Sequence, residues 1–277
     1  MIVLELLKLR RSRRPLLAAA ALLFFLVLML LGFYTYAQSR TGGNADFRYT
    51  FENRSYFNGL TFTVYAFYFG MLLLLPIFVA TEGGTQIAGE TGTRTLQLLL
   101  TRPVTKSRVF LSKAFVTGLY SLVLAGGFLL TTLLAGLILV GWGDLDLYPG
   151  VLQMTERHQH LSQGTALWRF ALIWPAASLS LCVTLCFSLM LSAWTRNPVN
   201  AAALAVALYL VMHVVSGVHF FEELRPYLFT SYVAYWRGFF QEDIDWPGLA
   251  RDAAKLAAFA FVFLAIAHNR FRRREEL

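Results

Sequence analysis

Charge is what this sequence has least of. Asp, Glu, Lys and Arg make up 14% of the 277 residues, against 57% hydrophobic ones, and mean hydropathy is +0.56. A soluble domain is about one quarter charged, so this composition excludes an ordinary soluble fold. Cysteine is equally scarce. Cys182 and Cys186 stand inside one apolar run, which excludes a disulfide framework and leaves the redox compartment unread. No Ser/His/Asp set and no pair of catalytic carboxylates stands out. There is no low-complexity linker and no convincing internal repeat. The string Gly84-Thr85-Gln86-Ile87-Ala88-Gly89-Glu90-Thr91 superficially imitates a phosphate-binding loop. Glu90, however, stands where a lysine would neutralise phosphate, and no strand precedes it. The chain is therefore expected to have no catalytic residue, no ATPase motif and no cofactor of its own.

What the sequence does have is six long apolar runs. Residues 16–37, 60–81, 109–140, 168–193, 199–218 and 249–269 are expected to be transmembrane helices, since a helix needs about 20 apolar residues to cross a bilayer. They form one domain spanning 1–277. Ahead of them, Met1 to Arg14 mixes Leu4, Leu6, Leu7 and Leu9 with Glu5, Lys8, Arg10, Arg11, Arg13 and Arg14. That pattern predicts an interfacial helix, with Leu6, Lys8 and Arg10 at the membrane surface. A cleaved signal peptide is the competing reading, but 16–37 exceeds the 7–15 residues of a signal core. Pro76 predicts a kink near the inner end of the second span, and Gly118, Gly126, Gly127 and Gly136 offer close helix contacts in the third. Residues 38–59, 141–167 and 219–248 are expected outer segments, the last dense in aromatic rings that favour the headgroup level. Arg251 and Lys255 can snorkel from the sixth span.

Six spans place both termini on one side, and charge decides which. The net charge of +8 would point a soluble protein towards nucleic acid. Here 15 of the 24 basic residues and 5 of the 16 acids fall in the assigned inner segments. That excess predicts cytoplasmic termini in a multi-pass membrane protein. The bilayer, not nucleic acid, is the partner of those cations.

The sequence is organised around one polar stretch, Glu82 to Lys113, between the second and third runs. Glu90 and Arg94 are spaced for a helical ion pair. Ile87, Thr91, Thr95 and Leu98 share one helical face. Pro103 stops that helix, with Arg102 before it biased to extended geometry, and Thr105 can cap the next. The prediction is a short helix lying at the membrane surface within 82–108, rigidly joined to two spans.

This stretch resembles the first cytoplasmic loop of ABC-2 type permeases, the membrane subunits of one class of ABC transporter. The matching elements are Ile87-Ala88-Gly89-Glu90, Thr95-Leu96, Leu98-Leu99-Leu100, Arg102-Pro103-Val104, Lys106-Ser107-Arg108 and Lys113. Arg94 departs from the pattern where a glycine is usual, and Ser112 where glycine often precedes Lys113. The resemblance implies an all-α integral membrane protein like the type V ABC exporters. Its parts are six transmembrane helices, an N-terminal interfacial helix and a cytoplasmic coupling helix. It implies a separate ATPase subunit that binds ATP and Mg, and a second permease copy or paralogue completing a dimer. Location in the plasma (inner) membrane of a prokaryote goes with it. The residues it assigns to contact with the ATPase are Glu82, Ile87, Gly89, Glu90, Arg94, Leu98, Arg102 and Pro103.

Other candidates are weaker. His158 and His160, with Met154 and Glu156 near, make a poor metal site, because two ligands in a loop do not close a coordination shell. They read as solvated loop residues, and no metal is expected. Cys182 and Cys186 share a helix face and read as small hydrophobes. His213, an ionisable residue inside a span, is a candidate for the translocation path, although a helix-contact histidine is an equal reading. Three functions fit: the permease of an ATP-driven exporter, a self-sufficient channel or secondary carrier, and an intramembrane enzyme. The second calls for buried charges or half-broken helices in paired positions, and the third for a catalytic constellation in the spans. Neither signal is evident.

Overall fold

A computed structural model describes residues 2–41, 58–93, 105–148 and 158–273. The described residues are helical nearly throughout, one of the two ways in which a chain in hydrocarbon gives every backbone polar group an internal partner. Helix α1 is Ile2–Arg11 and α2 is Arg13–Thr41. Helix α3, Gly59–Phe69, passes through a π-helical turn, Gly70–Leu74, into α4, Leu75–Gly92. Helix α5 is Lys106–Leu139, α6 is Gln163–Ser192 and α7 is Pro198–Gly217. Three 3₁₀ segments, His219–Tyr227, Phe229–Ser231 and Tyr235–Phe240, lead to α8, Trp246–Arg272. A small antiparallel hairpin, β1 Leu145–Leu147 and β2 Gln159–Leu161, pairs Asp146 with His160.

Among the described residues, five helices are long and apolar enough to cross a membrane: 13–35, 59–92, 106–139, 163–192 and 198–217. The sixth expected span, 249–269, lies wholly within helix α8, which does not meet that measure. Arg251, Asp252 and Lys255 occupy its first turns and Arg270 and Arg272 its last. Between Lys255 and His268 only 12 residues are uninterruptedly apolar.

The expected second span, 60–81, falls short of the helix that contains it. The helix runs unbroken from Gly59 to Gly92, 34 residues, or about 50 Å at 1.5 Å per residue. The hydrocarbon core is about 30 Å thick, so the last turns of α4 project beyond it. The π turn has a local cause. Pro76 has no N–H to return to the preceding turn. The helix widens by one residue immediately before it, and the Leu75 N–H donates to the Gly70 carbonyl. Gly83-Gly84, read from sequence as part of a loop, are contact points inside a helix. A Cβ on Gly83 would lie 2.8 Å from the Leu185 carbonyl oxygen of α6, and one on Gly84 2.8 Å from Ala202 Cα of α7. Helix α4 thus approaches two neighbours at backbone distance, the use to which membrane helices put small residues.

Caps fix the turns. Thr105 accepts a bond from the Arg108 N–H at the start of α5. Asn197 accepts from the Val199 and Asn200 N–H groups at the start of α7, just before Pro198 at its first position. The main core joins Leu60, Val64, Phe67 and Leu75 to Phe128 of α5, Phe170, Ile173 and Leu181 of α6, and Trp236 and Phe240 of the 3₁₀ segments. Helix α2 contributes Leu22 to it and otherwise shows Leu16, Leu17, Leu23, Phe24, Val27, Leu28 and Leu31 to the surroundings.

Candidate functional site: a buried ionic junction

Helix α1 carries one acid among its basic residues, Glu5, and the fold turns it inward. Glu5 is 5% exposed and Lys113, two turns into α5, only 1%. The Lys113 ammonium lies 3.2 Å from each oxygen of Glu5 and 2.7 Å from Oε1 of Glu90 at the end of α4. Lys8, one turn after Glu5, closes the ring, with its Nζ 2.7 Å from the same Glu90 oxygen and 3.6 Å from Glu5 Oε1. Two acids and two bases alternate, so each charge faces opposite charge on both sides. Lys113 makes the ring necessary. Its stem descends into an apolar helix, and an ammonium there without a carboxylate would cost several kcal/mol.

A second layer abuts it. Glu82 accepts from the Gln86 side-chain amide, and Arg14, at the start of α2, donates to the Thr85 hydroxyl. Together with Glu5, Lys8 and Glu90 these groups line a polar cleft of about 190 Å³. The junction therefore fastens three segments far apart in sequence: the interfacial helix, the projecting turns of α4 and the first turns of α5. Burial alone would depress the half-buried Lys8 ammonium, but bonding to Glu90 and the charges of Glu90 and Glu5 raise it above the ordinary lysine range.

The candidate residues divide by location. Glu90 was expected to pair with Arg94, which lies outside the described residues, as do Leu98, Arg102 and Pro103. The described partners of Glu90 are Lys8 and Lys113. Glu82 is 4% exposed and Ile87 is fully buried. Ile87 packs with Val109 and Phe110 of α5, Leu189 of α6, and Ala267 and Phe271 of α8. Its N–H and that of Ala88 lie 3.1 and 2.9 Å from the Ser192 hydroxyl oxygen. Ile87 thus works inside the bundle rather than on a docking face. Gly89 borders the polar cleft. Of the interfacial helix, Lys8 belongs to the ring, Leu6 lines an apolar groove beside it, and the Arg10 side chain is outside the described residues. Glu5, which sequence reasoning placed only in an amphipathic pattern, is a full member of the site. The available signal was Lys113, a lone cation in an apolar helix that demands an acid.

His213 sits in α7, half-buried, its ring stacked on Tyr209 at 5.7 Å and an interplanar angle of 12°. Its Nδ1 is buried and has no hydrogen-bond partner among the described residues. His158 and His160 gather around Asp146, a residue sequence reasoning did not include. His160 Nδ1 is 2.7 Å and His158 Nε2 3.7 Å from its Oδ1. Among the described residues no group of three or more His, Cys, Asp or Glu is arranged to hold a metal ion.

Comparison with curated proteins returns no match. A family model described as "ABC-2 family transporter protein" matches residues 1–211. The match covers α1, the ionic junction, four of the five long apolar helices in full and the fifth as far as residue 211. It identifies a permease-type membrane domain, and the chain belongs to the ABC-2 family of transporter proteins.

Proposed function

We propose that the chain is the translocating subunit of an ATP-driven exporter and that a separate nucleotide-binding subunit, which holds the ATP and Mg, drives it. A second copy of the chain, or a paralogue, completes the path. Both termini and the 82–108 connection face the cytoplasm of a prokaryotic cell, where Glu82, Gly89, Glu90, Arg94, Leu98, Arg102 and Pro103 surround the surface that the ATPase engages. His213 borders the path.

One observation carries this reading. The turns that end α4 are not a loose loop but are locked by buried opposite charges to α1 and α5. A flexible connection would absorb a displacement applied there, whereas this one passes it to two other segments at once. Glu90 thereby acts as a linchpin, delivering movement of the 82–108 connection to the interfacial helix and the third span.

The test is co-expression with a P-loop ATPase encoded beside the chain. The chain purified alone should hydrolyse no ATP, and the ATPase should co-purify with it. Glu90→Lys, provided it elutes as a folded membrane protein, should lose ATPase retention or transport, and Glu82→Lys should lose less. Robust ATP hydrolysis by the chain alone would refute the reading. Wild-type retention and transport in Glu90→Lys would refute the role given to Glu90.

A further inference from the structure

Beside the ionic junction lies a second feature that ATP-driven coupling does not use. Between α1, α2 and α5 lies an apolar groove of about 600 Å³, lined by Leu6, Leu9, Leu22, Val123, Gly127 and Phe128 among others. That is within the range of about 300–1,000 Å³ typical of small-molecule sites. The groove does not end blindly. Leu9 and Val116 line both it and the polar cleft that contains Ser12 and Arg14. One molecule with an apolar tail and a polar head can therefore occupy both.

Charge selects the head. Inside the cleft, Glu5, Glu82 and Glu90 are answered by Lys8, Lys113 and Arg14, so the interior is balanced. At the adjoining turn between α1 and α2 it is not. Arg11 and Arg13 flank Ser12 there. Both are exposed, and neither forms an ion pair among the described residues. A phosphate at this turn meets two uncommitted guanidinium groups, the side chain best suited to it. The tail comes from the bilayer, because α2 beside the groove presents Leu16, Leu23 and Val27 outward.

We infer that this groove and the adjoining turn bind one anionic phospholipid, an acyl chain along Val123, Gly127 and Phe128 and the phosphate at Arg11 and Arg13. Such a lipid seats against the helix that donates Glu5 and Lys8 to the junction, and so lends α1 a second attachment.

The structure supplies a clean way to block it. A Cβ at Gly127 would meet nothing within 4 Å, so Gly127→Phe projects a ring into the groove without striking protein. Val123→Trp, at a position already exposed, blocks the same space should the first variant fold poorly. The full-length protein in a mild detergent is titrated with phosphatidylglycerol, or with phosphatidylcholine of identical acyl chains, and bound lipid is counted by native mass spectrometry. Wild type should retain one phosphatidylglycerol per chain at least tenfold more tightly than phosphatidylcholine. Either groove-filling variant should lower retention of both lipids about tenfold or more. Arg11→Gln with Arg13→Gln should bring phosphatidylglycerol down to the phosphatidylcholine level. Equal retention of the two lipids by wild type would overturn the proposal. So would unchanged retention in both groove-filling variants. If those variants instead convert a two-chain complex to single chains without loss of lipid, the groove belongs to a second copy of the protein and the proposal fails.

Discussion

The two ends of this bundle are held by opposite kinds of chemistry. At one end, α1, α4 and α5 meet through Glu5, Lys8, Glu90 and Lys113, four full charges within 3.6 Å of one another along the ring. At the other, the charged pairs Arg225–Glu222 and Lys255–Asp252 are exposed or half-exposed and lie within one turn, and the links between elements run through backbone carbonyls and aromatic rings. Arg169 of α6 donates to the Phe239 and Glu242 carbonyls. The Asn58 amide donates to the Asp144 carbonyl at 2.6 Å, and the Glu242 N–H to Gln159 Oε1 at 2.8 Å. Phe170, Trp236 and Phe240 pack edge-on beneath them. A carbonyl-and-ring lattice loses little when one member changes. An alternating ring of buried charges depends on every member, because removing one strands its neighbours. The charged end is thus suited to transmit force, and the neutral end to hold the frame against which force acts.

The largest expected effect is at the ring. Lys113→Met leaves Glu5 and Glu90 facing each other with only the half-exposed Lys8 between them, and should destabilise the fold by about 3–5 kcal/mol. Thermal unfolding in detergent reads this as a lowered midpoint. If Lys113→Met unfolds at the wild-type temperature, the charged end is not the more fragile one. Next comes Arg169→Met at the neutral end, which leaves two carbonyls to find other partners and should cost about 1–3 kcal/mol. A loss there larger than that of Lys113→Met would reverse the comparison.

Gly84→Val should fall in a similar range, about 1–3 kcal/mol, because its Cβ would press on Ala202 backbone and part α4 from α7. It should also loosen the Ile87 cluster, seen as faster hydrogen exchange around Ser192. The smallest effect concerns Lys8. Its pKa is raised in the folded protein, so its contribution is fully present below the ordinary lysine value near ~10.4 and is lost as pH rises through the higher folded value. Wild type should lose its advantage over Lys8→Met in that alkaline window, and lose it again where acid protonates the Glu90 carboxylate; an advantage that persists through both would contradict the pairing.

Much of this was legible in the residues. Apolar run length marked five of the spans, and Pro76 marked the place where the second helix departs from α geometry. Thr105 marked one helix start. What was not legible depended on contacts between distant segments. Glu90 has a cation four residues on, so local spacing pointed to Arg94, whereas the fold brings Lys8 and Lys113, more than 20 residues away, to its carboxylate. Ile87 and Gly83-Gly84 sit among polar residues and so read as parts of a polar connection at the membrane surface, although neighbouring helices cover them. Charges at both ends of α8 made a span that composition alone draws differently from a hydropathy measure.

The central claim is that Glu90 and Lys113 act as one unit that ties α4 to α5. A double-mutant cycle with Glu90→Gln, Lys113→Met and the two combined, followed by thermal or denaturant unfolding in the same detergent, tests it directly. The account predicts an interaction energy of about 1–3 kcal/mol, with the double variant more stable than Lys113→Met alone. Additivity of the two changes within about 0.5 kcal/mol would contradict it.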